Sequence, residues 1–153
     1  MRNIGFLNCD SDMEYWVEQM FEVECEGFDN PLTFEQLSRR LVSCEVLLAT
    51  EGRTVVGYLM FSKRGKFLRR KRVAVSGLVV RKEHRRQRVG SSLLHELKRY
   101  CVYSDLDSVS VNLPAHEVVA NDFFRSQFFR AESFNRSIDT VRLTCSLLKG
   151  AQA

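Results

Sequence analysis

The chain has 153 residues, 44% hydrophobic and 27% charged, with a formal net charge of +4. That length suits one domain around one core, expected over residues 1–153, and the balance excludes both a disordered chain and a membrane-embedded one. Apolar runs such as 46–50 and 77–80 are too short to cross a bilayer, and the first ten residues lack the apolar core of a secretory signal, so a cytoplasmic protein without membrane contact is expected.

Ile4–Asn8 reads as a short strand. Ser11 or Asp12 is placed to cap a helix whose Trp16, Val17, Met20, Phe21 and Val23 form one apolar face. Thr33, followed by Glu35 and Gln36, starts a second helix with Phe34, Leu37, Leu41 and Val42 turned inward. The period then changes. Val46–Thr50 and Thr54–Ser62 are β-branched and aromatic, and Glu51-Gly52-Arg53 between them predicts a hairpin. A strand starting at Phe67 or Arg70 runs to Val80 after the basic loop 63–69. Gly90–Val102 reads as a helix with Leu93, Leu94 and Leu97 on one face, Ser108–Leu113 as a strand and Glu117–Gln127 as a helix. Phe128–Phe134 and Thr140–Leu148 form a closing hairpin. Pro31 and Pro114 fall at element boundaries, where proline is tolerated. The order β-α-α-β-β-β-α-β-α-β-β predicts an α/β (α+β) three-layer domain. Its mixed, mostly antiparallel sheet is flanked by helices and contains one parallel crossover.

The five cysteines, Cys9, Cys25, Cys44, Cys101 and Cys145, are dispersed, which predicts reduced, mostly buried thiols and no metal site. Twelve of the 23 Lys/Arg lie between Lys63 and Arg88. This cluster suits a phosphate-rich ligand, an acidic partner or a solvated hairpin. With Phe67 as the sole aromatic of the run 63–72, base stacking is poorly supported and nucleic acid is not favoured.

The chemistry concentrates in Leu78-Val-Val-Arg-Lys-Glu-His-Arg-Arg-Gln-Arg-Val-Gly-Ser-Ser-Leu-Leu94. A β-branched strand runs into a basic loop, and a glycine opens an amphipathic helix. Such a helix start presents unpaired N–H groups and the positive end of the dipole to phosphate oxygens. Gly90 permits close approach, and Arg85, Arg86 and Arg88 add charge. This segment resembles the R/Q-x-x-G-x-G/A pyrophosphate loop of the GCN5-related N-acetyltransferases (GNAT). The resemblance implies that Leu78, Val79 and Val80 line the pantetheine arm of acetyl-CoA. It also implies that Arg85, Arg86, Gln87, Arg88, Val89, Gly90 and Ser91 surround its pyrophosphate. The sequence departs from the pattern at Arg88, where the family has its first glycine. Gly77, within the strand, marks a bulge or a close approach; in the family a bulge there splays two strands around the cofactor.

The segment 117–129 is similar to the N-x-x-A-x-x-x-Y-x-x-x-G-F of the RimI-like subgroup, which acetylates ribosomal-protein N-termini. Ala120 and Phe129 match, but Phe124 stands where the acidic tyrosine would be, and Asn112 where the strand glutamate would be. Proton transfer in amine acetylation needs a base and an acid. Water, Ser126, His116 or Glu117 could serve, or the domain keeps its cofactor site without turnover. The resemblance therefore implies an acetyl-CoA-dependent N-acetyltransferase acting on a primary amine of a small molecule or protein; the candidate catalytic positions are Asn112, Glu117 and Phe124, and Ser126 by its closeness in sequence to the expected site. The alternative is a weakly active acyl-CoA-binding regulatory module.

Overall fold

The elements follow one another in the predicted order: β1 (Arg2–Phe6), α1 (Met13–Gly27), α2 (Phe34–Ser43), β2 (Glu45–Glu51), β3 (Thr54–Arg64), β4 (Arg72–Val80), a 3-10 turn (Lys82–His84), α3 (Val89–Tyr103), β5 (Ser108–Pro114), α4 (Val118–Ser126), β6 (Arg130–Asn135) and β7 (Thr140–Ser146). The structure, a computed structural model, describes residues 1–7, 12–64 and 71–147. Asn8, Cys9, Ser11, Leu148 and the basic loop over 65–70 lie outside the described residues. The seven strands order as β1-β2-β3-β4-β5-β7-β6. β1–β2, β2–β3, β5–β7 and β6–β7 pair antiparallel, and β4–β5 is parallel. No described helix is long and apolar enough to cross a membrane.

The chain divides into two units. The first holds residues 1–62 and 77–97. Its core joins Met20 and Val23 of α1, Leu37 of α2, Val46 and Leu48 of β2, Tyr58 and Met60 of β3, and Val79 of β4. Strands β2 and β3 are buried along successive residues, not alternate ones, as befits strands covered on both faces. Within this core Tyr58 donates its hydroxyl to the buried Glu24, which also accepts from the Leu32 amide at 3.0 Å. Burial, with the Glu24 hydrogen bond second, pushes the tyrosine well above its ordinary value.

Thr33 caps α2 as its sequence predicts: its hydroxyl accepts the Gln36 amide at 3.1 Å and the Gln36 side chain accepts the Thr33 amide at 2.9 Å. The inward set of α2 is narrower than expected. Leu37 is buried and Leu41 packs against the core, but Val42 is 89% exposed. Five residues beyond Leu37, it lies about 140° round the helix, off the apolar stripe. Phe34 is also exposed and meets Phe21 edge-on at the helix start. Asp12 occupies the N-cap of α1 but makes no side-chain cap. Its φ/ψ of −98°/9° is not the extended backbone that aims an N-cap oxygen at the first turn, and the carboxylate lies 3.4 Å from Arg53 Nη2 instead.

The second unit holds residues 63–76 and those from 98 on. β5 buries Ser108 to Val111, and β7 alternates with Val141, Leu143 and Cys145 inward. Every residue of β6 is exposed. Glu132 accepts from Thr144 and, at 3.0 Å, from Arg72; the Thr144 bond first, then the Arg72 contact, hold its carboxyl below the usual value. Phe124 and Phe129 are buried and meet edge-on with centroids 5.2 Å apart, whereas Phe128 is exposed with φ +71°. Cys101 and Cys145 are buried, and burial pushes the Cys101 thiol up to about 12. Cys25 is exposed and Cys44 half-buried, so burial is not general among the described cysteines. Both sit at the rim of the first unit, at the last turn of α1 and the C-cap of α2.

One close approach ties α1 to β4. A Cβ at Gly27 would lie 2.2 Å from Val79 Cγ2. Gly27→Ala should destabilise the protein by about 1–3 kcal/mol through overpacking. Combined with Val79→Ala it should cost less than the sum of the two single changes. Urea unfolding of the three variants checks this.

Candidate functional site

The parallel ladder between β4 and β5 runs from Arg72↔Ser108 to Val75↔Val111, and Gly77–Val80 lies outside it. β4 is continuous strand through Gly77, where a Cβ would come 3.3 Å from Met60 Cε. This explains the glycine by close approach to a neighbouring side chain. The Val79 side chain is buried in the core, so only its backbone is available at this strand. Leu78 and Val80 are half-buried. The Val80 carbonyl accepts from Arg85 Nε at 3.2 Å.

Arg81, directly after the strand, is a hub that the sequence reading missed. Between Ala49 and Thr50 the β2–β3 register shifts: Ala49 faces Gly57, Thr50 faces Val55, and Val56 has no partner. The bulge's carbonyls are taken by Arg81: its amide donates to Val56 at 2.8 Å and its Nε to Val55 at 2.6 Å. Its guanidinium also reaches Glu22 at 3.2 Å and Glu26 at 3.6 Å on α1. The end of β4 is thereby fixed to β3 and α1.

From this anchor the chain makes one 3-10 turn and then the turn 85–88. Arg86 and Arg88 have φ of +64° and +61°. That is the left-handed region, which costs a side-chain-bearing residue about 1 kcal/mol and which glycine adopts freely. Arg88 therefore takes the backbone conformation that the motif's glycine would supply. Arg85, Arg86, Gln87 and Arg88 are exposed, Val89 is buried, and Gly90 and Ser91 are half-buried. The helix begins with the Ser92 amide bonding the Arg88 carbonyl at 3.0 Å. The amides of Val89 and Gly90 precede that bond, where a helix directs N–H groups and its dipole outward. Leu93, Leu94 and Leu97, all fully buried, seat the helix; each contributes about 2 kcal/mol by burial.

The remaining predicted positions lie in the second unit. Asn112 is exposed on β5, and its Oδ1 accepts from Arg142 Nε at 3.2 Å. Glu117 is exposed at the N-cap of α4 and its carboxylate makes no capping bond; its carbonyl accepts from the Asn121 side chain at 2.8 Å. His116 is 73% exposed, with Nδ1 3.8 Å from Asp139. Phe124 is buried against Phe123 and Phe129. Ser126 donates its hydroxyl to the Phe123 carbonyl at 2.5 Å. Among the described residues no group of three or more His, Cys, Asp or Glu could hold a metal ion.

The model of the acetyltransferase (GNAT) family matches residues 10–126, including the whole strand–turn–helix segment. This chain belongs to the GNAT acetyltransferase family. No curated protein matches it in sequence. The GNAT fold is repeated in solved structures of low identity. The ribosomal-protein-S18-alanine N-acetyltransferase of Escherichia coli is 12% identical with a TM-score of 0.79, covering 96% of this chain and 94% of that one. Ard1 of Thermoplasma volcanium is 16% identical with a TM-score of 0.77, covering 97% and 99%. The PaiA N-acetyltransferase of Thermoplasma acidophilum, solved with coenzyme A, is 14% identical with a TM-score of 0.74, covering 94% and 99%.

The left-handed turn has a measurable consequence in this GNAT domain. Arg88→Gly should leave the melting temperature unchanged or raise it, since glycine adopts φ near +60° without strain. Arg88→Val should destabilise by about 2 kcal/mol relative to Arg88→Gly, because a β-branched residue is a genuine outlier there. Thermal melts of the two variants compare them directly.

Proposed function

We propose that residues 1–153 form a single acetyl-CoA-dependent N-acetyltransferase domain that moves an acetyl group onto a primary amine, at a protein N-terminus, a lysine or a small molecule. The observation that carries this is the Arg85–Arg88 turn with two left-handed residues feeding the start of α3. Its residues fit a diphosphate: three exposed arginines, a glycine at the second helical position and a fifteen-residue helix seated by three buried leucines. Arg85, Arg86, Gln87, Arg88, Val89, Gly90 and Ser91 are the pyrophosphate shell of this proposal. Leu78, Val79 and Val80 hold the pantetheine arm through their backbone. Arg85 would release the Val80 carbonyl to the arm, at the cost of one exposed hydrogen bond of about 1 kcal/mol. Coenzyme A in the PaiA structure and the amine acceptor named for the Escherichia coli enzyme support the same reading.

In the transfer, the neutral amine nitrogen attacks the thioester carbonyl carbon, and the carbon–sulfur bond breaks. The amine gives up a proton to a base, and the thiolate takes one on release. Of the four candidate catalytic positions, three are engaged or inert. Phe124 has no proton and is buried, Asn112 is held by Arg142, and Ser126 donates to a carbonyl. Glu117 alone carries an exposed carboxylate without a capping bond, and we assign it the base role. A second reading, an acyl-CoA-binding module with little turnover, is favoured by that same poverty of acids and bases.

Isothermal titration with coenzyme A tests the assignment. Saturable binding is expected, and no heat at millimolar ligand sinks it. Gly90→Glu, which puts a carboxylate among the amides, should weaken binding more than tenfold, about 1.4 kcal/mol. Glu117→Gln should lower kcat about 100-fold or more with KM for acetyl-CoA unchanged. A wild-type protein that binds coenzyme A but acetylates nothing across a panel of peptides and small amines would establish the second reading.

A further inference from the structure

The pyrophosphate loop is gripped from outside its own segment by the beginning of the chain. Arg2, first residue of β1, donates from Nη1 to the Gln87 backbone carbonyl at 2.8 Å and from Nη2 to Gln87 Oε1 at 3.1 Å. Eighty-five residues separate the two in sequence. Arg2 is held in turn: it pairs with Glu51 directly across the β1–β2 ladder, and its Nη2 lies 3.6 Å from Glu51 Oε1. The other oxygen of Glu51 lies 3.2 Å from Nε2 of His84, in the 3-10 turn that leads into the loop. One carboxylate thus links β1 and the approach to the loop, while one guanidinium links β1 to its centre.

The gripped residue matters because of its neighbours. Gln87 lies between Arg86 and Arg88, the two residues held left-handed. Side-chain-bearing residues keep such a backbone only where surrounding contacts over-determine it. Gln87 has contacts on both sides: its side-chain nitrogen donates to the Glu83 carbonyl at 3.2 Å, and both its carbonyls accept from Arg2. A planar guanidinium delivers two donors at fixed spacing, which a lysine ammonium does not.

We propose that Arg2 is a positioning residue for cofactor binding, a strut from β1 that holds the Arg86–Arg88 peptides in the conformation that aims the α3 amides at the pyrophosphate. It acts through Gln87 and does not itself need to touch the ligand. This rests on the function proposed above, in which this loop binds coenzyme A.

The test is coenzyme A affinity by titration in the wild-type protein, Arg2→Gln and Arg2→Lys, with acetyl-transfer kinetics and amide hydrogen exchange alongside. Arg2→Gln should weaken coenzyme A about tenfold and raise KM for acetyl-CoA in proportion, with kcat little changed. Exchange at the amides of residues 87–90 should quicken, while the melting temperature moves by only a few degrees. Arg2→Lys should recover only part of the affinity, staying about threefold weak, because it restores charge but not the fork. Wild-type affinity in Arg2→Gln overturns the strut. So does full recovery in Arg2→Lys, which would make Arg2 a mere charge. If Arg2→Gln does not fold, Arg2→Lys decides alone: threefold weakening with an unchanged melting temperature supports the strut. No binding by the wild-type protein would instead sink the underlying function, a result distinguishable from either.

Discussion

In the function proposed for this protein, the start of α3 meets a diphosphate, and the turn before it must fix the direction of its amides. That constraint organises the first unit of this protein. Two of the four residues in the turn 85–88 are left-handed and neither is glycine, so the conformation must be imposed by the contacts around it. Arg81 supplies the fixed end on the strand side, through the carbonyls of Val55 and Val56. Buried Val89 and the leucines of α3 supply it on the helix side.

The anchor depends on an irregularity elsewhere. In a regular strand successive carbonyls point to opposite edges, yet here those of Val55 and Val56 both accept from Arg81. The extra residue at Val56 takes them out of strict register, and Arg81 satisfies them. Thr50 to Val56 is thus as much part of the loop's support as the motif itself. The acids of α1 balance the same arginine, so α1, the bulge and the end of β4 meet at one side chain.

The second unit presents the opposite picture. Its predicted catalytic positions came from alignment to a pattern or from closeness in sequence to it, and most of their side chains have structural work: Asn112 holds Arg142, Ser126 satisfies a carbonyl at the end of α4, and Phe124 packs with Phe129. Glu117 differs in that its backbone supports α4 through Asn121 while its carboxylate faces solvent. In the proposed reading the chemical burden of acetyl transfer falls on binding and orientation, with Glu117 as the one carboxylate assigned to proton transfer.

Local patterns in the sequence determined a great deal. The Thr33–Gln36 capping box, the Gly52 turn and the β-branched run into Gly90 are set by interactions within a few residues, and each stands where its residues put it. Element order was legible for the same reason, as was the family, because the segment 78–94 that resembles its motif is contiguous. Within the described residues element ends differ from the expected bounds by two residues at most, and the Val42 misreading arose because α2 buries a stripe narrower than its apolar content. What tertiary structure alone decided is the support of the loop. Arg2 and Gln87 lie 85 residues apart, and Arg81 reads as one more member of a basic run. Neither carries a local signal, because a guanidinium's partner is chosen by where the folded sheet and helices place a carbonyl or a carboxylate. The left-handed backbone at Arg86 and Arg88 was likewise hidden, since sequence suggests glycine for such positions and only imposed contacts let arginine hold them.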